Sequence, residues 1–353
     1  MYYCMNNLKK GQNTAGIKAP KDVFEICSDC GFQEIKFFEP EKHKSVFLTR
    51  IGAVPTGIRN WMRLQNSTKS GDWVLIQHPN ENIVVGNYYI KRLKKKGIHF
   101  IALIHDLETL RKSLSDIDAG LEKRNSTADN SILSMCDYII CHNSSMKQYL
   151  VQKGFEETKI FELGIFDYLY SNDVKTVRVK NSPVVIAGNL QKGKCDYLYK
   201  LMDFDSIPFA INLYGPNYSG GDKKNIHYFG SFPPDDLPGK LEGSFGLVWD
   251  GTEIDRCAGN AGEYIKYNNP HKCSLFLASG LPVIIWKQAA LASFIEENHL
   301  GITIDSLLEI QDRIDAITDS EYEQIVNNTK NISLKLRQGY YLRSVLKEMG
   351  IVQ

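Results

Sequence analysis

The run LPVIIW at residues 281–286 constrains the fold more than any other part of the chain. It has strand length and no polar residue, so neither of its faces is suited to water. Such a strand belongs in a parallel sheet covered by helices on both sides. The preceding residues, NNPHKCSLFLASG, predict one of those helices. Asn269 suits the N-cap, Pro270 the first helical position, and Gly280 the left-handed residue that ends the helix. A helix start that also carries His271 and Lys272 combines unpaired backbone N–H groups, the positive end of the helix dipole and two side-chain donors. Together these suit a phosphate, which makes Asn268–Trp286 the candidate anion site.

The same strand-then-helix alternation runs through the whole chain. QEIKFFEP, DWVLIQHP, HFIALI and DYIICHN read as strands in the first half; PVVIAGN, FAINLYG, FGLVWDG, LPVIIW and ITI do so in the second. Alternation of this kind predicts α/β architecture with parallel, doubly wound sheets whose ligands bind beyond the carboxyl ends of the strands. At 353 residues the chain exceeds one ordinary core. We expect an N-terminal domain over residues 1–173 and a second over 174–329, with a helix at about 330–353 packing back on the first.

The strand ends supply the candidate chemistry. HFIALI ends on His105 and Asp106, either of which can be tuned toward neutral pH as a general base, although Asp106 also suits a helix cap. Gly188 permits a tight turn in the GNLQKGK loop, where Lys192 and Lys194 could clamp a diphosphate. Tyr214 and Asp250 tip two further strands. In the first loop, Thr14 and Gly16 lie where backbone could approach a ligand. That loop is not GxGxxG, which counts against a nicotinamide-dependent oxidoreductase.

Charge and cysteine content exclude other classes. Lys and Arg number 42 against 41 Asp and Glu, so there is no field to draw nucleic acid, and we expect no nucleic-acid partner. No apolar run reaches spanning length and the N-terminus lacks a signal segment, so a cytoplasmic protein is expected. The eight cysteines form no disulfide framework. Cys27 and Cys30 have CxxC spacing without a second pair, and no metal is assigned.

IALIHDLETLR, DYIICHNSSMKQYLVQKGF, ELGIFDYL, VVIAGNLQKGK, FGLVWDG and YIKYNNPHKCSLFLASGLPVI, taken in order, resemble a bacterial glycosyltransferase family. It includes β-1,6-galactofuranosyltransferases and the glucosyltransferases that extend sugar on serine-rich adhesins. The resemblance implies a GT-B fold, two Rossmann-like doubly wound domains facing a cleft, with a UDP-sugar held mostly by the second and an acceptor by the first. It implies no cofactor and no obligatory metal. Gly188, Asn189, Lys192 and Lys194 of the GNLQKGK loop, with Lys266, Asn269, His271 and Lys272, would then hold the UDP-sugar. Thr14 and Gly16 would reach it from the first loop, and Tyr214 and Asp250 from strand tips.

Many retaining GT-B enzymes carry an E-x7-E pair before the ASGLPVI-like strand. Tyr267 and Leu275 occupy those places here, so the resemblance points to an inverting reaction with Asp106 as base and His105 as its rival. The expected partners are a UDP-sugar donor and a glycan, glycolipid or glycoprotein acceptor. Homo-oligomerisation and peripheral membrane association through the acceptor are compatible with this reading. The alternative is a non-catalytic sugar-nucleotide-binding or scaffolding homologue.

Overall fold

The computed structural model describes residues 1–8, 15–39, 46–79, 83–114, 131–175, 177–204, 208–221 and 223–352. The chain divides into two compact units, one of Met1–Gln12, Ala19–Leu163 and Leu342–Gln353, the other of Asn13–Lys18 and Gly164–Tyr341.

The first unit contains β1 (Tyr2–Leu8), β2 (Gln33–Phe38), β3 (Trp73–His78), β4 (His99–Ile104), β5 (Tyr138–Cys141) and β6 (Ile160–Glu162). These pair in parallel in the order β2-β1-β3-β4-β5-β6. Every residue of β3 and β4 after the first is buried, as their apolar sequences require of strands covered on both faces. The covering helices include α1 (Ala15–Asp29), α2 (Val46–Ser67), α3 (Ile83–Lys94), α4 (Glu108–Ser113) and α5 (Ser144–Gln152). Strand order reverses between β1 and β3, so this point, at the carboxyl ends, is where a ligand crevice opens in a doubly wound sheet.

The second unit repeats the plan with β7 (Val184–Ala187), β8 (Ile211–Tyr214), β9 (Ile226–Tyr228), β10 (Gly246–Val248), β11 (Val283–Trp286) and β12 (Gly301–Ile304). Their order is β12-β11-β10-β7-β8-β9, again parallel, with the reversal between β7 and β10. The helices are α6 (Asp196–Met202), α7 (Gly259–Tyr264), α8 (His271–Ala278), α9 (Ala292–Glu297), α10 (Ile310–Asp315) and α11 (Asp319–Arg337). All four residues of β11 are buried, and α8 lies so close to the sheet that a Cβ on Gly246 would fall 2.2 Å from the Phe276 ring. Gly280 ends α8 with φ +66°, the left-handed conformation expected of it.

The second unit begins at Gly164, earlier than the composition change near residue 174 suggests. Ile165 and Tyr168 are already buried in its core, and the Tyr168 amide donates to the Leu336 carbonyl at 3.1 Å. At the other end, α11 stays with this unit: Ser333 donates to the Ala278 carbonyl at 2.7 Å and Tyr322 to that of Ser244 at 2.8 Å. Only the residues from Leu342 onward belong to the first unit, tied to the end of α1 by Arg343, which meets Asp29 at 2.8 Å and the Cys30 thiol at 3.4 Å.

Candidate functional site

In the second unit, the reversal point is bordered by the residues after β7, Gly188 and Asn189, and those after β10, Trp249 and Asp250. Lys272, in the first turn of α8, closes the group. Its ammonium donates to the Trp249 carbonyl at 2.9 Å and to Asp250 Oδ1 at 2.7 Å. Burial works to lower the Lys272 pKa, but attraction and hydrogen bonding to Asp250 outweigh it and the pKa is raised. Lys272 is therefore a fixed cation. An ammonium has three hydrogens, and these two bonds leave one for a ligand.

The start of α8 differs from the expected arrangement. Pro270, in extended conformation, is the N-cap and offers no side-chain acceptor, so the first-turn amides lack a side-chain cap. Asn269 is drawn elsewhere: it is buried and its Nδ2 donates to the Gly164 carbonyl at 3.0 Å. His271 packs its ring against Tyr168, with centroids 5.1 Å apart. Its Nε2 is buried without a hydrogen-bond partner, as is Oδ1 of Asn268. Burial first, and the Lys18 cation second, push the His271 pKa down to about 3, so its ring is neutral. Buried polar atoms left unpaired are costly, and two of them beside an uncapped helix start mark a place for a polar ligand.

The remaining expected residues divide. Lys266 pairs with Glu263 at 2.7 Å and lies 5.2 Å from the Trp286 ring centroid. Lys192 sits 5.0 Å over the Tyr199 ring, while Lys194 is exposed in the same turn. Gly188 takes φ +136°, which keeps its turn tight. Tyr214 departs from the expected arrangement. The Tyr214 ring is 1% exposed, stacks on Phe229 at 4.8 Å and accepts from the Glu242 amide at 3.2 Å, so it points into the core. The Asn189 Oδ1 accepts from the Gln191 amide and from Asn217 Nδ2, both at 3.1 Å, and serves the turn itself. Gly16 is exposed in the first turn of α1, and Thr14 lies outside the described residues.

Gly215 follows Tyr214 at the end of the FAINLYG strand, and the β8 tip depends on it. It holds φ +142°, and a Cβ there would fall 1.8 Å from the Gly188 carbonyl oxygen. Gly215→Ala is expected to cost at least about 2 kcal/mol of stability, read by urea denaturation, because both the backbone conformation and the contact oppose a side chain.

In the first unit, His105 is held at the carboxyl end of β4 by its main chain and its ring. Its amide donates to the His78 carbonyl at 2.7 Å, and its Nε2 lies 2.7 Å from Gln77 Oε1. Asp106 is partly exposed and 3.8 Å from Arg111. Gln77 and His142 were not picked out from the sequence, although both are polar residues at the ends of apolar strands, which is the signal that marked His105. Lys18, missed as well, is 3% exposed; in the second unit it meets the Leu169 carbonyl at 2.7 Å and Asp235 at 2.8 Å. A buried lysine inside a helix leaves no trace in the local pattern.

His142 is 1% exposed with Nε2 3.0 Å from the Ile104 carbonyl, and burial pushes its pKa down to about 4 against the pull of the Ile104 and His105 backbone. The unfolded chain takes up this proton near pH 6.5 while the folded one resists until about 4, so stability is full above about 6.5 and falls with acidification through that window. His142→Gln is expected to flatten the pH dependence of urea midpoints between about pH 6.5 and 4, where the wild type loses on the order of 3 kcal/mol.

Among the described residues, no group of three or more His, Cys, Asp or Glu could hold a metal, and no helix is long and apolar enough to cross a membrane. Cys136, Cys141 and Cys273 are buried, and burial pushes each thiol up to about 12.

A family model described as Glucosyltransferase 3-like, N-terminal domain, matches residues 1–165, and its C-terminal counterpart matches residues 184–349. The chain is 36% identical over 357 aligned residues to Beta-1,6-galactofuranosyltransferase WbbI of Escherichia coli (strain K12), covering 98% of each protein. It is 25% identical over 342 residues to Glucosyltransferase 3 of Streptococcus gordonii, covering 95% of this chain and 94% of that protein. Sucrose-phosphate synthase from Thermosynechococcus elongatus superimposes with a TM-score of 0.65 at 12% identity, covering 99% of this chain and 98% of that one. With two parallel, doubly wound units and family matches along nearly its whole length, the chain has the GT-B fold and belongs to the Glucosyltransferase 3-like family of glycosyltransferases.

Proposed function

We propose that the chain transfers a hexosyl group, galactofuranose or glucose, from a UDP-sugar to a sugar hydroxyl of a glycan or glycoconjugate, with inversion at the anomeric carbon. The observation that carries the donor half is Lys272, held charged by Asp250 at the uncapped start of α8. A diphosphate needs fixed positive charge and unpaired N–H groups, and this helix start offers both. Lys266 and Lys192 are the second rank of cations.

For the reaction, the acceptor oxygen forms a bond to the anomeric carbon as the bond from that carbon to the UDP oxygen breaks. The electron pair leaves with UDP, whose charge meets Lys272 and the α8 amides. The acceptor proton passes to a base, which we assign to the first unit's His105 rather than Asp106. Its backbone amide is anchored on the His78 carbonyl and its ring at Nε2, whereas Asp106 lies near the Arg111 cation. Tyr267 and Leu275 provide no carboxylate for a retaining reaction, and the name of the 36%-identical relative specifies a β-linkage.

A thermal-shift panel of UDP, UDP-glucose, UDP-galactose, UDP-galactofuranose, GDP and NAD tests the donor. Stabilisation by UDP and one UDP-sugar is expected, and stabilisation by NAD alone would sink the reading. The configuration of the transferred sugar, read by proton NMR of the product, should be opposite to that of the donor. Binding with no transfer or hydrolysis over a panel of glycan acceptors would favour the non-catalytic alternative.

A further inference from the structure

The orientation of a buried carboxamide is decided by what surrounds it, and Gln77 is 1% exposed with three polar neighbours. Its Nε2 lies 3.2 Å from the Met5 carbonyl oxygen and 3.1 Å from that of Pro20. Carbonyl oxygens only accept, so the nitrogen, with its two hydrogens, must be the atom that faces them. The reversed amide would press an oxygen against two oxygens. Gln77 Oε1 is thereby turned to the His105 ring, 2.7 Å from Nε2. An amide oxygen also only accepts, so His105 Nε2 carries a hydrogen and donates it. The lone pair of the neutral ring is then at Nδ1.

The position of this contact follows from the sheet. The β1–β3 ladder pairs Tyr2 through Cys4 with Trp73 through Leu75 and ends there. Just past that end, at the reversal of strand order, the Gln77 side chain spans from β3 to the Met5 carbonyl of β1. Three elements, β1, α1 and β4, are thus joined through one carboxamide at the place where a doubly wound sheet binds its ligand.

We infer that Gln77 is a positioning residue for the transfer reaction, holding His105 as the Nε2–H form so that Nδ1 is the atom that takes the acceptor's proton. This rests on the assignment of the base to His105. Among the described residues, titratable groups on the surrounding elements include Tyr3 and Cys4 on β1, His78 at the end of β3, His142 after β5, Asp22 on the buried face of α1, and Asp106 with Arg111 on the following turn. None of them is altered by substitution at residue 77.

The test uses the full chain with nitrogen-15-labelled histidine, and His105→Gln to assign the ring signals. Two-bond proton–nitrogen correlation should show a neutral His105 protonated at Nε2. Gln77→Met removes the acceptor that favours the imidazolium, and Gln77→Glu supplies a stronger one. The His105 titration midpoint should fall in the first and rise in the second, by about one pH unit or more. The low-pH limb of kcat/KM should move with it in each case, because a base with a raised pKa is lost to protonation at higher pH. The KM for the donor should stay within about twofold, since the residues proposed to hold the phosphates belong to the second unit. A purely structural role would not give shifts of opposite sign. A neutral ring protonated at Nδ1, or a midpoint unmoved in Gln77→Met, overturns the inference. Should the glutamate variant not fold against two carbonyl oxygens, the methionine variant decides alone. If the midpoints move and the rate limbs do not, the hold of Gln77 on the ring stands and the base assignment falls.

Discussion

Lys272→Met is expected to weaken UDP binding by about 10-fold to 100-fold, the worth of a charge-assisted hydrogen bond to phosphate. It should also destabilise the fold. Asp250 would keep its charge in a poorly hydrated position with no counter-charge, and removing one member of a buried pair costs roughly 3–5 kcal/mol. The side chains here are 21% and 29% exposed, so about 2 kcal/mol is the better expectation. The two effects separate in the double variant Lys272→Met with Asp250→Asn, which should recover stability and leave affinity low. Titration calorimetry with UDP at fixed salt and urea denaturation of the three proteins measure both. UDP affinity within twofold of wild type in Lys272→Met would remove this cation from the donor site.

His105→Ala should lower kcat by about 10²-fold to 10⁴-fold, the range for loss of a general base, while the KM for the donor changes little. Asp106→Asn should be much milder: the carboxylate is 38% exposed and 3.8 Å from Arg111, so it is largely compensated already. Steady-state transfer rates with a fixed acceptor decide between them. Near wild-type turnover in both variants, with UDP binding intact, would place the base elsewhere. A large loss in Asp106→Asn alone would reverse the two roles.

The architecture was readable because it is written in short-range patterns. LPVIIW, HFIALI and DWVLIQHP each carry a continuous apolar run, and each is a buried parallel strand. Gly280 was readable for a similar reason, since a helix that must end before a strand needs a left-handed residue there. The site was less legible. Asn269 has the composition of an N-cap, but its side chain is drawn to Gly164, 105 positions away in the chain. Tyr214 ends a strand as a ligand-facing residue would, yet strand residues alternate between faces and its ring stacks on Phe229.

By itself, then, the sequence determined that there are parallel sheets of the doubly wound kind, which strand ends carry polar groups, and that α8 opens with a lysine and a histidine. Periodicity and turn chemistry operate over a few residues, and a few residues suffice to encode them. Only the tertiary structure decided what each polar side chain meets. Lys272 becomes a fixed cation through Asp250, 22 positions earlier, and the His105 ring is fixed through Gln77, 28 positions earlier. Such contacts depend on strand order and on which way neighbouring side chains point. Neither is a property of a local stretch of chain, because strand order is set by packing the whole sheet and side-chain direction by the space that packing leaves.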